Sequence, residues 1–249
     1  MELTSEAAAI ELTGLAKQYG PKQALAGVSL CVPRGSVFGY VGPNGAGKTT
    51  TIKILTGLMR PTAGEARVLG HSVLAEPLVV KAITGYVPES GALFEKFSPA
   101  EYLGLVGRLY GLAPDLVDSR VESWLQRFGL GPQRDLALGG LSKGMKQKVC
   151  WISALLHEPQ VLVLDEPLNG LDVEAVALAK ELISELASCG RTVFYSSHLM
   201  DVVTKVCSLV AVLHQGRVVA SGTVDDVVAA CGADSLEQAL LAIGHGGAA

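Results

Sequence analysis

Apolar residues fall into two alternating rhythms along this chain. Short runs bounded by Gly, Pro or polar residues predict strands: Ile10-Glu11-Leu12-Thr13 alternates, Ala24 to Val32 is apolar or small and closes at Pro33-Arg34-Gly35, and Val37-Phe38-Gly39-Tyr40-Val41 follows. Glu65 to Leu69, Ile83 to Val87, Thr192 to Ser196, and a hairpin of Leu209 to Leu213 with Arg217 to Ala220 read the same way. Val161-Leu162-Val163-Leu164 is continuous, the form of a strand buried on both faces of a parallel sheet. Between these runs, helical spacing takes over. It relates Ile52, Leu55, Leu58 and Met59; then Leu103, Val106, Leu109 and Tyr110; then Val117, Val121, Trp124, Leu125 and Phe128, stopping at Gly129; then Val149, Ile152, Leu155 and Leu156. Further helices are expected over about 173–188 and from Leu236 to Ile243. Ser98-Pro99-Ala100-Glu101 predicts a capping box with Pro at the first helical position. Residues 9–33 therefore form an antiparallel region, and residues 90–157 a helical insertion between strands of an α/β body. One domain is expected over 1–225, with a short C-terminal tail over 226–249.

Composition narrows this little: 249 residues, 49% hydrophobic, suit one large or two small soluble α/β domains. No apolar run reaches the roughly 18 residues of a membrane span. The acidic start, Met1 to Glu6, lacks the basic character of a secretory signal, so a cytosolic chain is expected. Five scattered cysteines (Cys31, Cys150, Cys189, Cys207, Cys231) without a C-x-x-C predict reduced packing residues, neither a disulfide framework nor a zinc site. A net charge of -4 argues against non-specific nucleic-acid binding. The local basic group Lys143, Lys146 and Lys148 reads either as solvated or as attraction for an anion.

Chemistry enters with Gly42-Pro43-Asn44-Gly45-Ala46-Gly47-Lys48-Thr49, set between an apolar strand and a helix. G-x-x-x-x-G-K-[ST] in that setting is a phosphate-binding loop: the glycines let backbone N–H groups form a nest, Lys48 supplies a mobile cation, and Thr49 offers a hydroxyl to Mg²⁺. The helix that starts there adds its free N–H groups and positive dipole end. Asp165-Glu166 closes the continuous strand, and two carboxylates at a buried strand end are costly without a cation. Asp165 fits the metal's water shell and Glu166 the polarising of an attacking water. His198, at another strand end, can donate to a phosphate. Some residues keep two readings here. Tyr19 is a base-stacking face or a turn residue, Glu89 a ligand-facing or a solvated carboxylate, and Leu93, Phe94 and Phe97 either core or a receiving surface for a partner helix. His157 reads as a helix-end residue.

Taken in order, these motifs give the chain a resemblance to the nucleotide-binding subunit of ATP-binding cassette (ABC) transporters over about residues 10–225. Gly42 to Thr49 matches the first nucleotide motif, Leu141-Ser142-Lys143-Gly144-Met145 the signature, Val161 to Glu166 the second nucleotide motif, Asp172 the loop after it, and His198 the switch histidine. The resemblance implies a P-loop NTPase core with a mixed sheet, an N-terminal antiparallel β region and an inserted helical subdomain. It implies ATP and Mg²⁺ as cofactors. Tyr19 would stack on adenine, the loop residues Gly42 to Thr49 with Thr50 would hold the phosphates, and Thr49, Asp165 and Glu89 would serve the metal. Glu166 would be the base and His198 the γ-phosphate contact, while Ser142 and Gly144 would reach the nucleotide of a second cassette packed head to tail. The implied partners are that second cassette and an integral membrane permease, not nucleic acid, with the chain peripheral on the inner face of the membrane. A soluble cassette acting on nucleic acid or the ribosome, and a silent regulatory cassette, are the rival readings. Two departures stand out: Lys143-Gly144-Met145 replaces the usual Gly-Gly-Gln, and Glu89 replaces the usual Gln. Both resemble cassettes that serve separately encoded exporter-type permeases.

Overall fold

The computed structural model describes residues 8–91 and 93–244; the acidic start read above and the last five residues of the C-terminal tail lie outside them. The first alternating stretches pair as a hairpin, β1 (Ala8–Tyr19) with β2 (Lys22–Pro33), antiparallel around the Gly20-Pro21 turn. The next apolar run, β3 (Val37–Val41), leaves this layer for a second sheet, while β4 (Ala63–Val68) and β5 (His71–Ser72) return to it. The first sheet has the order β2-β1-β4-β5.

The second sheet joins β3 to β6 (Thr84–Val87), β7 (Val161–Asp165), β8 (Thr192–Ser197), β9 (Leu209–His214) and β10 (Arg217–Gly222), in the order β10-β9-β3-β8-β7-β6. All neighbours run parallel except the edge pair β10 and β9. Successive strand residues point to opposite faces, and the core divides accordingly. Val37, Val41, Leu162, Leu164, Val193 and Tyr195 join one cluster, whereas Phe38, Tyr40, Val161, Val163 and Phe194 join the other. The continuous run of β7 is thus buried on both faces, each Val or Leu contributing about 1.5–3 kcal/mol. The face carrying Phe38 and Phe194, whose rings stack at 6.0 Å, is covered by the antiparallel sheet and by α1 (Lys48–Leu55).

Helices α3 (Pro99–Leu109), α4 (Pro114–Arg127) and α5 (Lys143–Leu155) form the insertion between β6 and β7, and α6 (Val173–Ser188) and α7 (Met200–Val206) follow in the body. At the start of α3 the Glu101 N–H donates to Ser98 Oγ at 3.2 Å and the Ser98 N–H to Glu101 Oε2 at 2.8 Å, so the capping box forms as expected. Such a cap is worth about 1 kcal/mol.

Several expectations need correcting. Leu58 and Met59 do not continue α1. The chain turns after Leu55, with Gly57 N–H on Ile54 C=O and Leu58 N–H on Lys53 C=O, and Leu58 points outward. Leu109 keeps the helical spacing but is 77% exposed. Helices α2 (Pro77–Ile83), α7 and α8 (Val224–Ala230) had no expectation, because seven residues are too few for a period to show. Position 225 falls inside α8, and α9 (Leu236–Gly244) follows; Val227, Leu236 and Ile243 are buried in the same core as α3 to α7, so this tail packs on the body. His157 is more than a helix end: its ring stacks on Tyr110 at 3.7 Å and Nε2 faces the Thr84 carbonyl at 3.2 Å. The five cysteines are free thiols; Cys150 and Cys207 are buried, whereas Cys189 is exposed and does not serve packing.

Candidate functional site

Three adjacent parallel strands, β3, β8 and β7, end at the same edge of the sheet, and each delivers one part of a cleft. From β3 the chain enters the glycine loop and then α1. Gly47 caps α1 in left-handed backbone, φ 116°, and a Cβ there would lie 2.7 Å from the Ala24 carbonyl oxygen. Only glycine fits such a cradle. Lys48 folds back over the loop, Nζ donating to the Gly42 carbonyl at 2.7 Å and the Pro43 carbonyl at 3.3 Å. Burial holds its amine below the usual lysine range, while Glu166, Asp165 and Glu89 pull it back up. The carbonyls accept from the ammonium while burial disfavours its charge.

From β7 comes Asp165, which is fully buried and accepts from Ser196 Oγ at 2.8 Å and from Thr49 Oγ1 at 3.4 Å. Burial raises its pKa above the usual carboxylate value; the two hydroxyls oppose this and the charges of Glu89 and Glu166 reinforce it. Glu166 follows in left-handed backbone, φ 47°, its N–H bonded to the Ser196 carbonyl at 3.1 Å. That turn sends its side chain toward β8, where Glu166 Oε2 accepts from His198 Nδ1 at 2.8 Å and from the His198 N–H at 3.4 Å. The ring of His198 is half exposed and open to the cleft.

The cleft, about 490 Å³, gathers Tyr19, Asn44, Gly45, Gly47, Lys48, Thr49, Thr50, Glu89, Glu166 and His198, so most of the expected residues meet in one place. Lys22 and Ala24 line it too, from β2. Tyr19 stands at the rim, its hydroxyl on Met59 Sδ at 2.7 Å and Lys17 Nζ 5.4 Å from its ring centre. Among the described residues no three His, Cys, Asp or Glu side chains cluster as a self-sufficient metal site. Mg²⁺ is ordinarily held by one or two carboxylates with phosphates and water. Thr49, Asp165 and nearby Glu89 therefore fit a metal that arrives with the nucleotide.

Ser142 and Gly144 do not line this cleft. Ser142 caps α5, its Oγ accepting from the Met145 N–H at 3.2 Å. The bare Gly144 lies against the Gly170 carbonyl oxygen, where a Cβ would meet it, so the glycine serves packing against the loop after Glu166. Lys148 is not solvated: Nζ pairs with Asp172 Oδ2 at 2.8 Å, and this contact first of all holds the Asp172 carboxyl low, while Oδ1 caps α6. Three contributors had no expectation from the sequence: Ser196, Gln147 and Trp151. Ser196 pairs directly with Asp165 in the β7–β8 register, a signal available only once the strand order is known.

The chain is matched over residues 25–169 by the family model described as ABC transporter. It is similar to the daunorubicin resistance ATP-binding protein DrrA3 of Streptomyces coeruleorubidus, with 36% identity over 97% of this chain and 76% of the relative. It is also similar to the Nod factor export ATP-binding protein I of Rhizobium sp. (strain N33), with 36% identity over 86% of this chain and 71% of the relative. A solved structure described as the ATP binding subunit of an ABC transporter superposes with a TM-score of 0.89 at 33% identity, covering 95% of this chain and 99% of that one.

Proposed function

The chain belongs to the ABC transporter family as an ATP-hydrolysing, Mg²⁺-ATP-binding subunit, and from that premise we propose that it closes on ATP with a second cassette and drives a separate membrane permease in export. The observation that carries this is the separation just described. One cleft holds Lys48, Thr49, Glu166 and His198, with Asp165 bonded to Thr49, while Ser142 and Gly144 lie outside it on the helical insertion. A cleft of that kind binds a nucleotide and waits for a second copy to supply the missing wall.

In this reading the glycine loop and Lys48 bind the phosphates, with Lys48 leaving the Gly42 carbonyl for an anion. Thr49 and Asp165 hold the metal, with Glu89 beside them; bound Mg²⁺ supplies charge neutralisation at the transferring phosphate. Glu166 orients and deprotonates the attacking water, a role worth about 10²–10⁴-fold in rate. Its hydrogen bond from His198 keeps the carboxylate aimed into the cleft until a γ-phosphate draws His198 away. Tyr19 offers its ring to the base.

The permease's cytoplasmic helix has a surface to meet. Beyond Glu89 the chain exposes Phe94, whose ring leans on Phe97 at 5.6 Å, while Leu93 packs against the core. Leu78 on α2 and Leu109 on α3 are 80% and 77% exposed, and a small groove of about 180 Å³ is lined by Leu58, Val80, Tyr86 and Tyr110. Solvent-facing apolar side chains of this size on adjacent elements mark a docking face. Export is the reading supported by relatives named for drug resistance and Nod factor export.

The test is where the chain goes in its own cell extract. We expect it to sediment with membranes and to be released by Phe94→Ser with Leu109→Ser, ATP binding being unchanged. Recovery with RNA or ribosomes, and not with membranes, would overturn the transport reading.

A further inference from the structure

Helix α5 begins at Ser142 and, one turn on, buries Gln147 to 2% exposure. A glutamine amide so placed needs partners, and this one finds them on two separate loops. Gln147 Nε2 donates to the Pro88 carbonyl at 2.9 Å and to the Pro167 carbonyl at 3.3 Å. Pro88 precedes Glu89, and Pro167 follows Glu166. One turn further, Trp151 Nε1 donates to the same Pro167 carbonyl at 3.1 Å, with its indole fully buried. Between them Cys150, on the same helical face, packs where a Cβ on Gly91 would stand. Residues 147, 150 and 151, spaced i, i+3 and i+4, thus turn one face of α5 toward both cleft loops.

The Pro88 and Pro167 carbonyls lie just past the strand ladder, the Glu166 N–H making the last bond to β8, at the Ser196 carbonyl. β6 ends at Val87 and β7 at Asp165, and the left-handed backbone at Glu166 turns the chain out of the strand. We propose that Gln147, seconded by Trp151, is a positioning residue that fixes the Glu89 loop and the Glu166 loop to each other and to the helix that begins at Ser142. Its amide works as a two-pronged clamp. The Pro residues at 88 and 167 carry no N–H of their own, so their carbonyls are what the clamp grips. Any shift of the α5 N-terminus when Ser142 meets a second cassette's nucleotide is passed along one rigid helix to the base and to Glu89 of this chain's own cleft. The proposal rests on the reading of Glu166 as base and of Ser142 as the contact across the dimer.

Steady-state ATP hydrolysis by the full chain separates the possibilities, with Glu166→Gln as the reference for that underlying reading. Gln147→Leu keeps the volume and removes both bonds. We expect kcat to fall about 10–100-fold, the scale on which ångström misplacement of reacting groups acts, with KM for ATP changed less than about threefold and ATP-driven dimerisation retained. Trp151→Phe stays aromatic but removes the pyrrole part of the indole with its N–H, one donor to a carbonyl that Gln147 still holds. It should lower kcat about threefold or more at unchanged KM, and it decides the question if Gln147→Leu does not fold. Wild-type kcat in folded Gln147→Leu, wild-type kcat in Trp151→Phe, or a loss confined to KM would each overturn the clamp. Full turnover by Glu166→Gln would instead overturn the reading beneath it.

Discussion

At the glycine loop, Lys48 and Asp165 are both buried with burial working against their charges, and Glu166 stands in left-handed backbone. At the start of α5 the same kinds of group are at rest. Ser142 caps its own helix, and Asp172 is held by Lys148 and by the first turn of α6. A non-glycine residue in left-handed backbone costs about 1–3 kcal/mol, and a buried charge without its partner adds to that. The cleft side therefore holds a cation and a carboxylate whose charges burial disfavours, the setting in which bound Mg²⁺-ATP would be stabilised. On the signature side the polar groups are satisfied within their own chain, and in the proposed function they act on the nucleotide of a second copy. On the proposed function, the first face would bind alone while hydrolysis would need both.

The comparison breaks most sharply at Glu166. In Glu166→Gln, ATP hydrolysis should fall about 10²–10⁴-fold with nucleotide affinity kept, because Gln retains the contact to His198 while losing the base. Turnover at the wild-type level would remove the base from the cleft side.

On the other face, Gly144→Val forces a side chain onto the Gly170 carbonyl and so shifts the start of α5, with Ser142, out of the position from which it would meet a second copy. We expect turnover to fall about 100-fold, the size of effect that misplaced reacting groups produce, while the isolated chain binds ATP with unchanged affinity by fluorescence titration. Weakened binding by the single chain would mean that Gly144 serves its own cleft.

A smaller effect sharpens the contrast in buried charge. Asp165 has its folded pKa raised, so its contribution to stability is greatest where it is protonated and declines as pH rises through that raised value. Asp165→Asn should abolish that decline and raise the thermal midpoint of the nucleotide-free chain near neutral pH by about 2–4 °C, while losing Mg²⁺-dependent hydrolysis. A lowered midpoint in calorimetry would show the carboxylate to be stabilising as it stands.

What could be read in the sequence follows the same division. The glycine loop, the doubly buried β7 and the capping box at Ser98 are local patterns, each enforced by neighbours within a few residues, and all three stand as expected. The outward turn of Leu58 and the exposure of Leu109 depended on where the helix ends and what lies opposite, which spacing does not encode. Lys148 looked like one of three solvated lysines because its partner, Asp172, lies 24 positions on. Ser196 and Gln147 were invisible for the same reason: a serine in a strand and a glutamine in a helix acquire meaning only through register and packing.

The central claim, that one cleft needs the other chain's α5, is tested most directly by the molar mass of Glu166→Gln measured by light scattering with and without saturating Mg²⁺-ATP. We predict monomer without nucleotide, dimer with ATP, and monomer again with ATP when Gly144→Val is added. A chain that binds ATP yet stays monomeric, or a dimer indifferent to nucleotide and to Gly144, would contradict the account.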